Sequence, residues 1–128
     1  MKKYRIINLD KHEDSRGKLI AFEKGVNCPF EIKRAFFMYD GDINSVRGAH
    51  ANKKSQFLLI AIKGSCQINV NDGINSDSFV LDSSEKALYL DRMVWKEMVN
   101  FSENAIILVL SSEKYDASEY VARMEISS

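Results

Sequence analysis

The sequence has few of the residues on which several function classes depend. Its 128 residues include one proline, two cysteines and two histidines, and 18 Lys and Arg residues balance 18 Asp and Glu residues. The zero net charge disfavours nucleic acid as the main partner, since phosphate binding needs a basic excess or stripe. No apolar run approaches the ~20 residues of a membrane span. No cleavage site follows the basic start, so we expect a cytoplasmic protein.

Motifs for nucleophilic and phosphate chemistry are also missing. The chain has no GxSxG elbow around a serine and no glycine-rich phosphate loop. Cys28 and Cys66 do not form a CxxC pair, and nothing in the sequence indicates export. We therefore expect both thiols to be buried and reduced rather than joined in a disulfide.

The sequence does contain a series of short apolar segments separated by turn residues. Residues 65–70 alternate apolar and polar side chains, as in a half-buried strand, and Asp72-Gly73 is typical of a hairpin turn. Short strands with turns every roughly 8–12 residues indicate a sandwich or barrel, and the length indicates one domain, 1–128. The predicted strands are 4–9, 18–22, 31–40, 56–62, 65–70, 78–81, 87–90, 94–99 and 105–110.

Only the C-terminal segment has the pattern of a helix. Asp116 is suited to the N-cap position, and Glu119 lies three residues on, at the spacing of a capping box. Tyr120, Val121 and Met124 then form an apolar stripe on one side. The sequence therefore predicts an all-β fold with a short C-terminal helix.

The segment "RGAHANKK", residues 47–54, places His50 directly ahead of the apolar run 56–62. A small β-barrel has its natural ligand site in an interior cavity or mouth, and a residue that begins a core strand can point into it. Imidazole titrates near neutrality, so His50 can serve as a general base. The alternative is a structural histidine bonded to the neighbouring backbone. His12, in a polar loop, is expected to be solvated.

The residues around His50 disfavour a metal site. A metal-binding barrel of this kind would use an HxH pair, a carboxylate and a third histidine, whereas this chain has Asn52 and then Gln56. Amides are weak ligands for transition metals, so we expect metal-free proton transfer and no cofactor. Arg47, Lys53 and Lys54 can hold an anionic substrate, or they can form a solvated edge.

Several segments, taken in order, resemble the sugar 3,4-ketoisomerase family. These proteins are the small WxcM-like cupins of the FdtA and QdtA type that act on dTDP-4-keto-6-deoxyglucose. The resemblance covers nearly the whole chain, and it depends on the order and spacing of the segments together. The segments are "DSRGKLIAFE" (14–23), "PFEIKRAFF" (29–37), "RGAHANKK" (47–54), "GS" (64–65), "NDG" (71–73), "VWKEM" (94–98) and "SEKYDASEYV" (112–121).

The resemblance implies a fold, a reaction and partners. The fold is a cupin jelly-roll barrel without metal, in a homodimer that can exchange an N-terminal strand. The reaction moves a ketone from C4 to C3 of a nucleotide-linked hexose bound in the barrel mouth. The product passes to a 3-aminotransferase that supplies sugars for surface glycans. Trp95 is expected in the core rather than as a platform for thymine.

The resemblance also implies roles for particular residues. His50 matches the first histidine of the family motif, the candidate base that removes the C3 proton and leaves an enediolate. Arg16 resembles the branch whose product has the galacto arrangement at C4. Arg34 and Arg47 are expected at the diphosphate, and Tyr39 either reaches the sugar or packs at the rim. The candidate substrate-binding residues are Arg16, Arg34, Tyr39, Arg47 and Lys53.

Two positions depart from the family pattern. Many members read HAHK where this chain has HANK, and many have histidine at the position of Lys96. Asn52 cannot carry a proton, so three accounts are open. In the first, His50 acts as both base and acid while Asn52 polarises a substrate oxygen. In the second, Lys96 supplies the acid with a pKa lowered by burial. In the third, the chain binds a keto-sugar without isomerising it well. A non-catalytic sugar-nucleotide-binding cupin and a metal-dependent cupin dioxygenase or epimerase are the rival classes.

Overall fold

The computed structural model describes residues 2–121 of the chain. Within that range the fold is nearly all β, with twelve strands and one short 3-10 helix. None of the helical structure described is long and apolar enough to cross a membrane. The elements are β1 (Tyr4–Asn8), β2 (His12–Asp14), β3 (Gly17–Leu19), β4 (Arg34–Met38), β5 (Arg47–Asn52), β6 (Phe57–Lys63), β7 (Cys66–Asn71), β8 (Ser76–Leu81), β9 (Lys86–Leu90), β10 (Trp95–Val99), β11 (Ile106–Ser111), η1 (Ala117–Glu119) and β12 (Tyr120–Val121).

The strands form two five-stranded antiparallel sheets and a separate hairpin. The first sheet has the order β1–β9–β6–β11–β4, and the second has the order β12–β5–β10–β7–β8. The hairpin consists of β2 and β3. Many neighbouring strands are distant in sequence, so long-range pairing holds the sheets together. This architecture confirms the all-β, jelly-roll-type fold that the sequence predicts.

The inner faces of the two sheets pack against each other and form the main core. The alternation predicted for 65–70 is found in β7, where Cys66, Ile68 and Val70 are at most 1% exposed. Cys66 is a free thiol, as predicted, and its burial raises its pKa to about 12. Burial likewise raises the pKa of the free Cys28 thiol. Both thiols are therefore protonated at neutral pH and unreactive.

The central strand β6 is apolar on both faces because both faces are covered. Leu58 and Ile60 belong to a second cluster on the outer face of the first sheet. Leu9, Cys28 and Phe30, from the long segment between β1 and β4, pack over that face. This double burial explains why the run 56–62 is continuously apolar rather than alternating.

All nine predicted strands correspond to strands of the structure, most with somewhat different ends. Three further strands, β2, β5 and β12, have no counterpart in the prediction. The predicted hairpin turn is confirmed between β7 and β8, although its loop has four residues, 72–75. In that loop the Asp72 carboxylate accepts hydrogen bonds from the backbone N–H groups of Ile74 and Asn75, and Gly73 has a φ of +94°.

The predicted C-terminal helix is wrong beyond its first turn. Asp116 is the N-cap, as predicted, and its side chain accepts a hydrogen bond from the Ser118 N–H. The helix is only the 3-10 turn η1, because the backbone of Tyr120 and Val121 pairs with β5 as the short strand β12. Sheet hydrogen bonds at the edge of β5 thus replace the helical ones. Met124 lies outside the described residues.

Candidate active site

A cavity of about 180 Å³ lies between the two sheets and opens at one end of the sandwich. Strands from both sheets contribute to its wall, which combines apolar side chains with cationic and imidazole groups. The lining residues are Arg34, Phe36, Met38, Arg47, Gly48, His50, Phe57, Leu59, Lys96, Met98, Val109 and Tyr120.

A bulge in β5 turns several of its residues toward this cavity. His50 pairs with Lys96 and Arg47 pairs with Met98, so four residues of β5 span the distance of three on β10. The extra residue reverses the alternation, which brings Arg47 and His50 to the same face. Gly48 has a φ of +85°, and a Cβ added there would lie 3.0 Å from the Lys96 carbonyl oxygen. The bulge therefore needs glycine at this position.

His50 is half-buried in the cavity wall and is held in a defined orientation. Its Nδ1 lies 3.0 Å from the Gly48 carbonyl oxygen, and its ring stacks on Tyr120 at 4.1 Å between centroids. A carbonyl oxygen only accepts, so Nδ1 carries the proton and Nε2 is the basic nitrogen. Burial, with a further contribution from the charge of Lys96, lowers the pKa of His50 below its ordinary value. The ring is therefore a neutral base at neutral pH.

Lys96 is a charged side chain buried in the wall beside His50. It is 4% exposed, and its Nζ donates a hydrogen bond of 3.2 Å to Asn52 Oδ1. The ammonium also lies 4.3 Å from the centre of the Phe57 ring, a cation–π contact. Burial lowers the pKa of Lys96 to about 8, against the opposing effect of the Glu119 carboxylate. Lys96 can therefore both donate and accept a proton near neutral pH.

Asn52 and Glu119 lie behind Lys96, away from the cavity surface. Asn52 is 3% exposed and does not line the cavity. Glu119 is equally buried and accepts hydrogen bonds from the backbone N–H groups of Lys54 and Ser55 and from Ser55 Oγ. The polar side chain of Asn52 also lies close enough to Glu119 to lower the pKa of its carboxylate. The sequence analysis missed the site role of Glu119, because its spacing after Asp116 suggested only a capping box.

Two arginines line the cavity without a carboxylate partner in the part of the chain that is described. Arg34 lies between two aromatic rings, 4.4 Å from the centre of Phe36 and 5.1 Å from that of Tyr115. Arg47 faces the cavity from the bulge of β5. Together with Lys96 they make the cavity cationic, which favours an anionic ligand.

The structure does not bring the other candidate binding residues to the cavity. Arg16 lies in the turn between β2 and β3 and forms an ion pair of 2.6 Å with Asp14. Tyr39 is 59% exposed, and its ring packs on that of Phe37. Lys53 is exposed beyond the end of β5. Their predicted contacts with substrate thus have no geometric support within one chain.

Three further residues of the sequence analysis are placed by the structure. His12 is exposed on β2, as predicted for a solvated histidine. Trp95 is 5% exposed and packs with Ala51 and Val121, as predicted for a core residue. Among residues 2–121, no three His, Cys, Asp or Glu side chains cluster closely enough to hold a metal ion.

A β-sandwich with a paired imidazole and buried amine in its cavity has the architecture of a cupin-type isomerase, and comparison with known proteins gives the family. The family described as "FdtA: WxcM-like, C-terminal" matches residues 2–125. The chain therefore belongs to the FdtA, WxcM-like family, which confirms the resemblance seen in the sequence.

Several characterised proteins are similar to this chain over nearly its whole length. It is 38% identical over 121 residues to a TDP-4-oxo-6-deoxy-alpha-D-glucose-3,4-oxoisomerase of Aneurinibacillus thermoaerophilus, covering 94% of this chain and 87% of that protein. The structure of the TDP-fucose-3,4-ketoisomerase WlaRA of Campylobacter jejuni has a TM-score of 0.93 and 42% identity, with 97% and 92% coverage. The TDP-quinovose 3,4-ketoisomerase WlaRB of the same organism has a TM-score of 0.93 and 43% identity, with 98% and 96% coverage.

Proposed function

We propose that this chain is a TDP-4-keto-6-deoxyglucose 3,4-ketoisomerase that works as a single domain, 1–128. The observation that carries the proposal is the pair of His50 and Lys96 in one cationic cavity. The relatives named above act on TDP-linked deoxysugars, and they share the fold over almost their full length. The zero net charge of the chain fits a small anionic substrate better than a polyanion.

The reaction moves two protons without any net oxidation. One proton leaves C3 and one is added to C4, while the C3 hydroxyl loses its proton and the C4 oxygen gains one. Removal of the C3 proton next to the C4 ketone gives an enediolate, whose negative charge lies on the oxygens. Catalysis therefore needs a base near the two carbons and a proton donor near the two oxygens.

His50 is suited to the transfer between the carbons. Its Nδ1–H is held by the Gly48 carbonyl, so the free Nε2 can remove the proton from C3 and return it to C4. The lowered pKa keeps the ring neutral and ready to accept at neutral pH. A structural histidine would also make this hydrogen bond to the backbone. Here the bond uses only Nδ1, so it orients the ring and leaves Nε2 free to act as the base.

Lys96 is suited to the transfer between the oxygens. A pKa of about 8 leaves most molecules protonated at neutral pH, so the ammonium can stabilise and protonate the C4 oxygen. The resulting amine can then take the proton of the C3 hydroxyl, which restores the starting state. Of the three explanations for the unusual residues Asn52 and Lys96, this geometry favours the one in which Lys96 is the acid. Asn52 acts as the acceptor that holds Lys96 rather than as a group that touches the substrate.

Arg34 and Arg47 are proposed to bind the diphosphate. The cavity of about 180 Å³ holds little more than a hexose, so the nucleotide has to extend out of it, past the two arginines that line it. Guanidinium binds phosphate oxygens in a bidentate way.

A decisive test couples the purified protein to a 3-keto-specific aminotransferase. With TDP-4-keto-6-deoxyglucose as substrate, we expect a 3-amino sugar nucleotide, detected by mass spectrometry and NMR. The matched control replaces His50 with asparagine, whose carboxamide is polar and similar in size to the imidazole but cannot accept the proton. Absence of the 3-amino product at high concentration of the wild type would refute the proposal.

The second candidate is a sugar-nucleotide-binding cupin without catalysis. The amide at Asn52 and the amine at Lys96, where many relatives have histidines, favour it. Binding of TDP-4-keto-6-deoxyglucose by calorimetry, without any loss of its C3 proton signal in NMR, would identify this case. Loss of the C3 proton signal would show that proton abstraction takes place.

Partners and location are further proposals from the family resemblance. We expect a homodimer, a 3-aminotransferase that takes the product, and a site of action in the cytoplasm. Light scattering of the purified protein measures its mass and so tests the homodimer. A monomer at micromolar concentration would contradict the homodimer while leaving the reaction unaffected.

A further inference from the structure

The carboxylate of Glu119 is buried behind the proposed acid rather than exposed at the chain end. It is 3% exposed, although it lies in the short turn η1 close to the C-terminus. Burying an ionised carboxylate is costly unless several donors satisfy it. Hydrogen bonds from Ser55, Lys54 and Asn52 lower the pKa of Glu119 against the opposing effect of its burial. The group is therefore a fixed negative charge at neutral pH.

A continuous line of contacts runs from this carboxylate to the cavity. The Asn52 side chain lies next to Glu119 and lowers the pKa of its carboxylate, and Asn52 Oδ1 accepts a bond of 3.2 Å from Lys96 Nζ. Lys96 then faces the cavity beside His50. All three members of the line, Glu119, Asn52 and Lys96, are at most 4% exposed.

We propose that Glu119 is a positioning residue that acts on the reaction through Asn52 and Lys96. It orients the Asn52 amide and keeps the Lys96 ammonium charged and directed at the substrate oxygens. The catalytic part of this inference rests on the proposed function. The coupling between Glu119 and Lys96 does not, since it exists in the protein without substrate.

The orientation of Asn52 follows from the chemistry of its two neighbours. An ionised carboxylate only accepts hydrogen bonds and an ammonium only donates them. The amide therefore turns its Oδ1 toward Lys96, as the structure shows, and its NH₂ is the group that is left to donate to Glu119. With a neutral partner in place of Glu119, the amide could rotate and turn its NH₂ against the ammonium.

The charge of Glu119 also opposes the effect of burial on Lys96. The charged or titratable groups around the ammonium are His50 and Arg47 from β5, Arg34 from β4, and Glu119 and Tyr120 from the C-terminal segment. Strand β7 contributes the apolar Val70 opposite Lys96. Glu119 is thus the one carboxylate in this set, which is otherwise cationic or neutral. Its removal would leave the ammonium among like charges, and the pKa of Lys96 would fall.

The test measures the pKa of Lys96 directly by NMR. Protein labelled with ¹³C at the lysine Cε is titrated without substrate, and Lys96→Met assigns the signal. Removing an opposite charge that acts on a buried ionised group typically moves the midpoint of that group by about one pH unit or more. We therefore expect the Lys96 midpoint in Glu119→Gln to be about one pH unit below that of the wild type. An unchanged midpoint would overturn the proposal.

Ser55→Ala is the matched control. It removes the hydroxyl bond of 2.7 Å to Glu119 but leaves the carboxylate charge and the Asn52 contact in place. We expect its Lys96 midpoint to stay close to that of the wild type. A fall as large as that of Glu119→Gln would mean that general loosening of the segment, and not the charge, controls Lys96, and this too would overturn the proposal.

The pH profile of turnover is the second readout. Loss of the Glu119 charge should move the alkaline limb of kcat to lower pH by the same amount as the NMR midpoint. The KM for the TDP-sugar should change less than about twofold, because Glu119 does not touch the cavity. An alkaline limb that stays in place would contradict the catalytic part. If the wild type shows no turnover, the proposed function is refuted. The NMR titration, which needs no substrate, would still test whether Glu119 controls the pKa of Lys96.

A second variant covers the case in which Glu119→Gln does not fold. Glu119→Asp keeps the charge but withdraws the carboxylate from Asn52 by one methylene. The Lys96 midpoint should again fall, by less than in the glutamine variant. A midpoint equal to that of the wild type would refute the role of Glu119, because the proposal depends on its contact with Asn52.

Discussion

Replacing Lys96 with methionine is expected to change how stability depends on pH. Burial lowers the pKa of this side chain from 10.5 to about 8, and the unfolded chain recovers the ordinary value. Between these two values the folded state binds fewer protons than the unfolded state, so wild-type stability rises with pH. The penalty for the buried charge is fully present below about pH 8 and disappears above pH 10.5.

The size of this penalty follows from the two pKa values. The fall from 10.5 to about 8 corresponds to roughly 3 kcal/mol, at about 1.4 kcal/mol for each pH unit. Methionine has no charge to bury, so the variant escapes this penalty at neutral pH. It also leaves Asn52 Oδ1 without its donor, which costs about 1–3 kcal/mol. The variant should therefore be between equally stable and about 2 kcal/mol more stable than the wild type at neutral pH.

Urea unfolding at a series of pH values measures the effect, with the fluorescence of the one tryptophan as the probe. The stability of the variant minus that of the wild type should fall by roughly 3 kcal/mol as the pH rises from neutrality toward 10.5. Lys63→Met is the matched control, because Lys63 is exposed at the end of β6. If the difference in stability between Lys96→Met and the wild type does not change with pH, Lys96 is not a buried ammonium with a lowered pKa.

The same substitution, Lys96→Met, should also reduce the catalytic activity. Loss of a general acid typically costs about 10²–10⁴-fold in rate, so Lys96→Met should lose at least about 100-fold in kcat while its stability is retained. A buried charge that lowers stability but is needed for turnover would show that this position serves the reaction. Retention of full activity by the methionine variant would remove Lys96 from the mechanism.

The remaining predictions concern the base, the anion site and metal. His50→Asn should abolish the loss of the substrate C3 proton, followed by NMR, while leaving TDP binding by calorimetry within about threefold; loss of that proton at the normal rate would exclude His50 as the base. Arg34→Gln and Arg47→Gln should each weaken TDP binding by roughly 1.5–3 kcal/mol, as for a charged hydrogen bond. Arg16→Gln, outside the cavity, should leave TDP binding unchanged. Elemental analysis and chelator treatment should find no metal and no loss of activity, and inactivation by a chelator would contradict the expected metal-free reaction.

Long-range contacts decided the parts of the site that the sequence did not predict. Glu119 reaches Ser55 across 64 positions of the chain, and Tyr120 stacks on His50 from a strand that the local pattern assigned to a helix. A local capping pattern cannot show which distant donors will surround a carboxylate. The pairing of β12 with β5 overrode the helical pattern because the exposed edge of β5 offered backbone hydrogen bonds.

The amino-acid sequence by itself determined the strand pattern, the family and the position of the imidazole. Period-2 alternation and turn residues are local properties, so nine strands could be predicted, and the spacing of motifs around His50 identified the chemistry. Only the tertiary structure decided that a bulge turns Arg47 toward the cavity and that Asn52 lies behind Lys96. It also left Arg16, Tyr39 and Lys53 outside the cavity. The physical reason is that burial and charge pairing depend on residues brought together from distant strands, which local periodicity does not specify.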